Sequence, residues 1–145
     1  VYLVDTNVIS AVSPSRPASP ALVAWMDAQS ASLLLSVVTV AEVEDGIAKL
    51  RREKALRRSK DLSQWLEAVL HLYRDRILAF DTPTARIAGQ LSDHARGQGQ
   101  APGFADIIIA ATARRHGLTI LSRNLRQFVP LGVPVRDPFR GLPPS

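Results

Sequence analysis

Short unbroken apolar runs alternate along this chain with longer segments whose apolar residues recur every three or four positions. Val1 to Val4 stops abruptly at Asp5, Ser32 to Val38 is a second run, Ile77 to Phe80 a third and Thr119 to Leu121 a fourth. Val133 to Val135 reads as a short fifth at a sheet edge. Runs this short, without the polar alternation of a half-exposed strand, are strands buried on both faces. Between them lie helical patterns. A short helix follows the Asp5-Thr6-Asn7 turn, and Ala21 to Ala28 forms another. Val40, Val43, Ile47 and Leu50 then make one apolar stripe, and Leu62, Trp65, Leu66, Val69, Leu70 and Tyr73 the next, with the period switching from strand to helix near Thr39. Thr82 followed by Pro83 reads as an N-cap and first-turn pair ahead of Ile87, Ala88, Leu91 and Ala95. Phe104 to His116 is apolar nearly all round, which makes that helix central, with Gly117 as its C′ residue. Strands and helices in this order predict an α/β fold of three layers, α/β/α, on a mostly parallel sheet of four to five strands with right-handed crossovers. In such sheets ligands bind beyond the carboxyl ends of the strands.

Ser13 to Pro20 (SPSRPASP) reads as a loop, and no repeat or interdomain linker interrupts the pattern. With 145 residues, 46% of them hydrophobic, the chain can bury one core without covalent help. The expectation is a single domain over residues 1–137 and a C-terminal tail over 138–145. Cysteine is absent, which excludes a disulfide framework, a thiolate nucleophile and an iron–sulfur cluster. His71, His94 and His116 are far apart and make no HxH or HxxxH pair, so a histidine-based zinc site is disfavoured. The stretch from Ala31 to Ala41, interrupted by Ser32, Ser36 and Thr39, falls well short of the about 20 apolar residues of a bilayer span. No membrane association is expected. The sequence opens directly into Val-Tyr-Leu-Val-Asp rather than a basic lead and apolar segment, so no signal peptide and a cytoplasmic location are expected. The net charge of +5 favours a polyanionic partner or an acidic protein tail.

Three acids fall where the strand-end rule places a ligand. Asp5 ends the first strand, Glu42 lies in the first turn after the second, and Asp106 lies in the first turn of the helix preceding the fourth. Each also has a local explanation. Asp5 can N-cap the helix that follows. Thr39-Val40-Ala41-Glu42 matches a capping box, in which the Glu reaches back to the Thr N–H. Asp106 can complement a helix dipole, although Phe104 and Ile107 to Ile109 surround it with residues that favour burial, and a buried charge needs a partner. If the three converge, their mutual repulsion requires a cation between them, and an all-oxygen donor set suits a hard divalent ion such as Mg²⁺.

Four stretches carry a family resemblance: VYLVDTNVIS (Val1 to Ser10), SVVTVAEVEDGI (Ser36 to Ile47), APGFADIIIAATA (Ala101 to Ala113) and GLTILSRNLRQF (Gly117 to Phe128). In this order and spacing they resemble the PIN-domain ribonucleases, and among them the VapC-type toxins of bacterial toxin–antitoxin pairs. The resemblance implies a PIN-like fold, with Asp5, Glu42 and Asp106 as metal ligands and catalytic acids. It implies a Mg²⁺- or Mn²⁺-dependent endoribonuclease that cuts a structured cellular RNA, and a homodimer neutralised by a cognate VapB-type antitoxin. Thr6 and Asn7 match the motif beside the first acid and would orient its carboxylate. One departure stands out. Where many members carry a further acid after the fourth strand, this chain has Asn124, and Gln127 replaces an Asp before the Phe. A neutral carbonyl holds a second ion less tightly, so one firmly bound metal is expected. Asp81, after the third strand, is read as a turn former.

The chemistry so implied is attack of a metal-activated water on a phosphodiester, leaving a 5′-phosphate and a 3′-hydroxyl. Arg123, beside Asn124, is the base expected to touch substrate. Lys49 to Lys60 (KLRREKALRRSK) holds seven basic residues against one Glu, either a solvated helix face or a phosphate track towards the acids. Trp25 and Trp65 belong to apolar helical patterns and read as core or interface. Two other functions fit parts of the pattern. A PIN domain of weak activity could act as a protein- or RNA-binding module, given Asn124 and Gln127, and a receiver-like signalling domain could use Asp5 and Asp81.

Overall fold

The computed structural model describes residues 1–14 and 19–144, so residues 15–18 of the expected Ser13 to Pro20 loop, and Ser145 of the tail, lie outside the described residues. Five strands, β1 (Tyr2–Val4), β2 (Leu33–Ser36), β3 (Ile77–Leu78), β4 (Thr119–Leu121) and β5 (Val135–Arg136), form one sheet in the order β3-β2-β1-β4-β5. Every pairing is parallel. The helices are α1 (Thr6–Ser10), α2 (Pro20–Ala28), α3 (Val37–Arg52), α4 (Leu56–Tyr73), α5 (Thr82–Gly97), α6 (Phe104–His116) and α7 (Leu125–Phe128).

The strand period of two sorts apolar side chains into two cores. Leu3 and Ile120 face Leu91, Ile109 and Phe128 on one side of the sheet. Val4, Leu33, Leu35 and Leu121 face Val8, Leu22, Trp25 and Tyr73 on the other. The expected three layers are therefore present, and α6 is the central helix, buried from Ile107 to Ala113. Phe104 departs from expectation. It is 70% exposed and meets Phe80 edge to face, because as the first residue of α6 it projects beyond the end of the sheet instead of into it.

Local polar groups set the element ends, and here the sequence expectations shift. The second strand does not run to Val38. The Ser36 hydroxyl accepts from the Val38 N–H at 3.1 Å and caps α3, so the helix starts at Val37. Thr82 is not the cap of α5 either. Asp81 is, its carboxylate accepting from the Thr84 N–H at 3.1 Å and from the Thr84 hydroxyl at 2.6 Å, with Thr82 and Pro83 as the first helical residues. The third strand accordingly stops at Leu78. Residues near the C-terminus lie against the second core: Phe139 packs on it, and the Trp25 indole donates to the Pro143 carbonyl at 3.0 Å.

Chain order reverses between β1 and β4. β1 and β2 are neighbours with β3 beyond, whereas β4 returns to pair with the opposite side of β1 and is followed outward by β5. In a doubly wound sheet this reversal opens a crevice at the strand ends. Asp5 stands at its mouth.

The end of α6 provides a stability test of this framework. Gly117 adopts φ 65°, and the Leu118 N–H returns to the Ala113 carbonyl at 2.9 Å, closing the helix as a Schellman turn. An L side chain is strained in this region, so Gly117→Ala should destabilise the protein by about 1–2 kcal/mol. The measurement is the urea midpoint, expected to fall with an unaltered denaturant slope.

Candidate active site

Asp5 is only 4% exposed, yet it carries a carboxylate. The backbone dictates that placement: β1 ends at Val4, the Asp5 N–H bonds the Leu121 carbonyl at 2.9 Å across the β1–β4 seam, and α1 begins at Thr6. Its Oδ1 accepts from the Thr6 N–H at 2.8 Å, so the expected capping role is real. Its Oδ2 accepts from the Ser122 hydroxyl at 2.6 Å and from the Asn7 amide at 3.3 Å. With three of roughly four lone-pair directions occupied, the carboxylate is fixed and has about one left for a ligand. Burial pushes its pKa up, the Ser122 and Thr6 hydrogen bonds pull it back, and nearby Glu42 adds to the rise.

Asn7 and Ser122 knit the first and fourth strand ends together. The Asn7 amide also donates to Ser122 Oγ at 3.2 Å, while its carbonyl accepts from the Arg123 N–H at 3.2 Å. Ser122 Oγ further accepts from the Asn124 N–H at 2.9 Å. Ser122 is fully buried, and its hydroxyl makes its one donor and two acceptor bonds. Sequence reasoning passed over it. The signal available was a hydroxyl directly after the strand that pairs with the Asp5 strand, which has meaning only once that pairing is known.

Glu42 reaches the cleft from α3. Because that helix begins at Val37, Glu42 lies in its second turn and cannot serve as the reciprocal acid of a capping box at Thr39. Its Oε1 accepts instead from the Thr6 hydroxyl at 2.5 Å, and Thr39, 3.0 Å from Thr6 Oγ1, donates in turn to that oxygen. Asp106, in the first turn of α6, completes the set. Asp5, Thr6, Asn7, Ser10, Glu42, Asp106 and Asn124 line one cleft of about 290 Å³.

The acids repel one another there. Burial first, then the charges of Asp5 and Glu42, raise the Asp106 pKa to about 6. Among the described residues no three His, Cys, Asp or Glu side chains stand close enough together to hold a metal ion as they are placed. The acids form an open cleft.

Other expected residues lie elsewhere. The Arg123 guanidinium stacks 3.7 Å from the centre of the Phe139 ring, and Gln127 lines a separate depression with Gln100 and Arg126. Asp81 pairs with Arg115 at 3.6 Å, and the Thr84 hydroxyl and N–H hold its pKa low. β2 separates the strand of Asp81 from that of Asp5, so no receiver-like pair forms.

A parallel sheet of order β3-β2-β1-β4-β5, with acids from three elements at its switch point, defines a class as well as a geometry. The PIN domain family matches residues 2–129. The chain belongs to the PIN-domain family, and within it to the VapC-type toxins. It is 39% identical over 142 residues to Toxin FitB of Neisseria gonorrhoeae, covering 96% of this chain and 99% of that protein. It is 36% identical over 140 residues to VapC ribonuclease Y4jK of Sinorhizobium fredii, covering 96% and 98%. The crystal structure of FitAcB from Neisseria gonorrhoeae superposes with a TM-score of 0.82 at 39% identity, over 96% of this chain and 99% of that one.

The crowding of acids predicts a pH-dependent cost. Above its unfolded pKa of 3.8 the Asp106 carboxyl ionises more readily in the unfolded chain than in the folded one, so metal-free stability falls as pH rises from 3.8 to about 6 and stays low above. The displacement corresponds to at most about 3 kcal/mol. Because the carboxyl is only half-buried, solvent reduces that to about 1–2 kcal/mol. Asp106→Asn should therefore stabilise the metal-free protein by about that amount near neutral pH and leave it unaltered near pH 4, as read by chemical denaturation at each pH.

Proposed function

We propose that this chain is a Mg²⁺- or Mn²⁺-dependent endoribonuclease toxin that hydrolyses phosphodiester bonds of a structured cellular RNA, with Asp5, Glu42 and Asp106 as its catalytic acids. The observation that carries the reading is the convergence of these three carboxylates, from three separate elements, in one open cleft. The names of the FitB and Y4jK relatives support it as a toxin and a ribonuclease. The working form in this reading is a homodimer held inactive by a VapB-type antitoxin in the cytoplasm. Among the described residues no helix is long and apolar enough to cross a membrane.

The donor set fits a hard divalent cation. It offers oxygens only, from a few carboxylates in an open cleft, which leaves positions for water as Mg²⁺ requires. Asp5, Glu42 and Asp106 would hold the ion, and Asn124, also in the cleft wall, adds a neutral carbonyl. When bound, the ion supplies Lewis acidity at the phosphodiester and a water of lowered pKa.

The protein's own groups then have defined tasks. Ser122, the Thr6 N–H and Asn7 hold Asp5 in one orientation. The Thr6 hydroxyl holds Glu42, so the two acids are set relative to each other by one residue. Asp106, in the first turn of α6 and in the cleft wall, would complete the oxygen set offered to the ion. Arg123, next in sequence to Asn124 of the cleft wall and stacked on Phe139, is the base assigned to a substrate phosphate.

Purified protein free of antitoxin, incubated with total RNA, should cut it in Mg²⁺ or Mn²⁺ and not in EDTA, leaving 5′-phosphate and 3′-hydroxyl ends. Asp5→Ala and Asp106→Ala should each lose activity on the order of 100-fold or more. Mg²⁺ should also raise the melting temperature of the wild type, reversibly with EDTA, and not that of Asp106→Ala. Cleavage that survives EDTA or either substitution overturns the proposal. Binding of RNA without cleavage under every metal condition would make the chain a binding module instead.

A further inference from the structure

We propose that the groove between α1, α3 and α4, which opens directly off the acid cleft, seats the single-stranded RNA on one side of the cut, with Lys49 and Arg58 taking its phosphates. The proposal rests on the nuclease reading above. The groove's lining includes Gly46, Lys49, Arg58, Leu62 and Trp65, with the carboxylates of Glu42 and Glu53 at its two ends along α3. Thr6, Ser10 and Glu42 belong to the acid cleft as well, so the two depressions are continuous.

Helical spacing explains the lining. Glu42, Gly46 and Lys49 follow one another on a single face of α3, with Glu53 as its C-cap, and Arg58, Leu62 and Trp65 do the same on α4. Lys49 lies about 10 Å along the helix from Glu42, the rise of about three stacked nucleotides. Of the seven basic residues between Lys49 and Lys60, only Lys49 and Arg58 line the groove. Among the described residues neither is engaged in an ion pair. The other five make the solvated face that such a run usually is.

Gly46 is the second sign. Glycine in the middle of a helix is disfavoured relative to alanine, and packing does not require it here, since a Cβ added at Gly46 would meet no heavy atom within 4 Å. Its effect is to leave the floor between Glu42 and Lys49 at backbone level, where a strand can approach. Half-buried Leu62 and Trp65 add an apolar wall. Two cations and an aromatic ring along one groove are the elements of single-strand binding.

The test measures affinity for a fluorescein-labelled single-stranded RNA of about twelve nucleotides, in EDTA so that nothing is cut, between about 50 and 200 mM salt. Replacing both groove cations, Lys49→Gln with Arg58→Gln, should weaken binding on the order of tenfold at low salt and flatten the log–log salt slope by about 1.4, about 0.7 for each lost phosphate contact. The control pair Arg51→Gln with Arg57→Gln, from the same run but outside the groove, should alter neither. Gly46→Leu should weaken binding and cleavage without lowering the melting temperature. Equal losses in both pairs, or none in the groove pair while the wild type cleaves RNA, would sink the groove proposal alone. Intact RNA binding with lost antitoxin binding in the groove pair would assign the groove to a protein and overturn it too. A wild type that neither binds nor cuts RNA overturns the nuclease reading and this inference with it.

Discussion

The Asp5 carboxylate sits almost out of solvent at the seam between β1 and β4, and among the described residues no cation pairs with it. What keeps the charge there is hydrogen bonding: the Thr6 N–H on one oxygen, the Ser122 hydroxyl and Asn7 amide on the other. These donors come from both sides of the switch point, so the bond network that holds the Asp5 carboxylate also ties α1 to the loop after β4. Arg123 and Asn124 are brought in through their backbone N–H groups by the same two side chains. Remove the carboxylate and Ser122 loses its acceptor in a fully buried position, which costs more than the bond itself is worth.

The remaining acids are tuned against this fixed one. Thr6 serves twice, its N–H on Asp5 and its hydroxyl on Glu42, and thereby couples the end of β1 to the second turn of α3. Asp106 has no such donor among the described residues, and burial, followed by the charges of Asp5 and Glu42, opposes its ionisation. An arrangement that carries repulsion in the resting state is typical of sites built to receive a cation. The chain's positive excess does not relieve it locally. Lys49 and Arg58 stand along the adjoining groove rather than in the cleft, where they can draw in a polyanion without occupying the acids.

Much of this was legible beforehand, for reasons that differ from residue to residue. Asp5 was plain because an apolar run ended on it, and Asp106 because an acid interrupts a helix that is otherwise apolar. Glu42 was ambiguous, since the TVAE sequence scores as a capping box whenever the helix is taken to start after Thr39. Ser36 resolves it by capping the helix three residues earlier. Phe104 misled in the opposite direction: apolar character favours burial, but its place as the first residue of α6 leaves it outside the sheet. Ser122 was missed because a serine after a strand is commonplace until the strand's neighbour is known.

Local pattern along the chain settles the strands, the helices, their alternation and hence the parallel layered fold, because periodicity and turn chemistry act over a few residues. It also places Asp5 at the end of β1, on the edge where such sheets bind ligands. It leaves open which acids meet, which hydroxyls hold them and where the excess positive charge is directed. Those depend on β4 returning to the far side of β1, which sets Ser122 against Asp5, and on α3 and α4 packing side by side, which sets Lys49 against Arg58. The contact between Asp5 and Ser122, 117 positions apart, leaves no trace in a local window, and only the assembled sheet brings the two together.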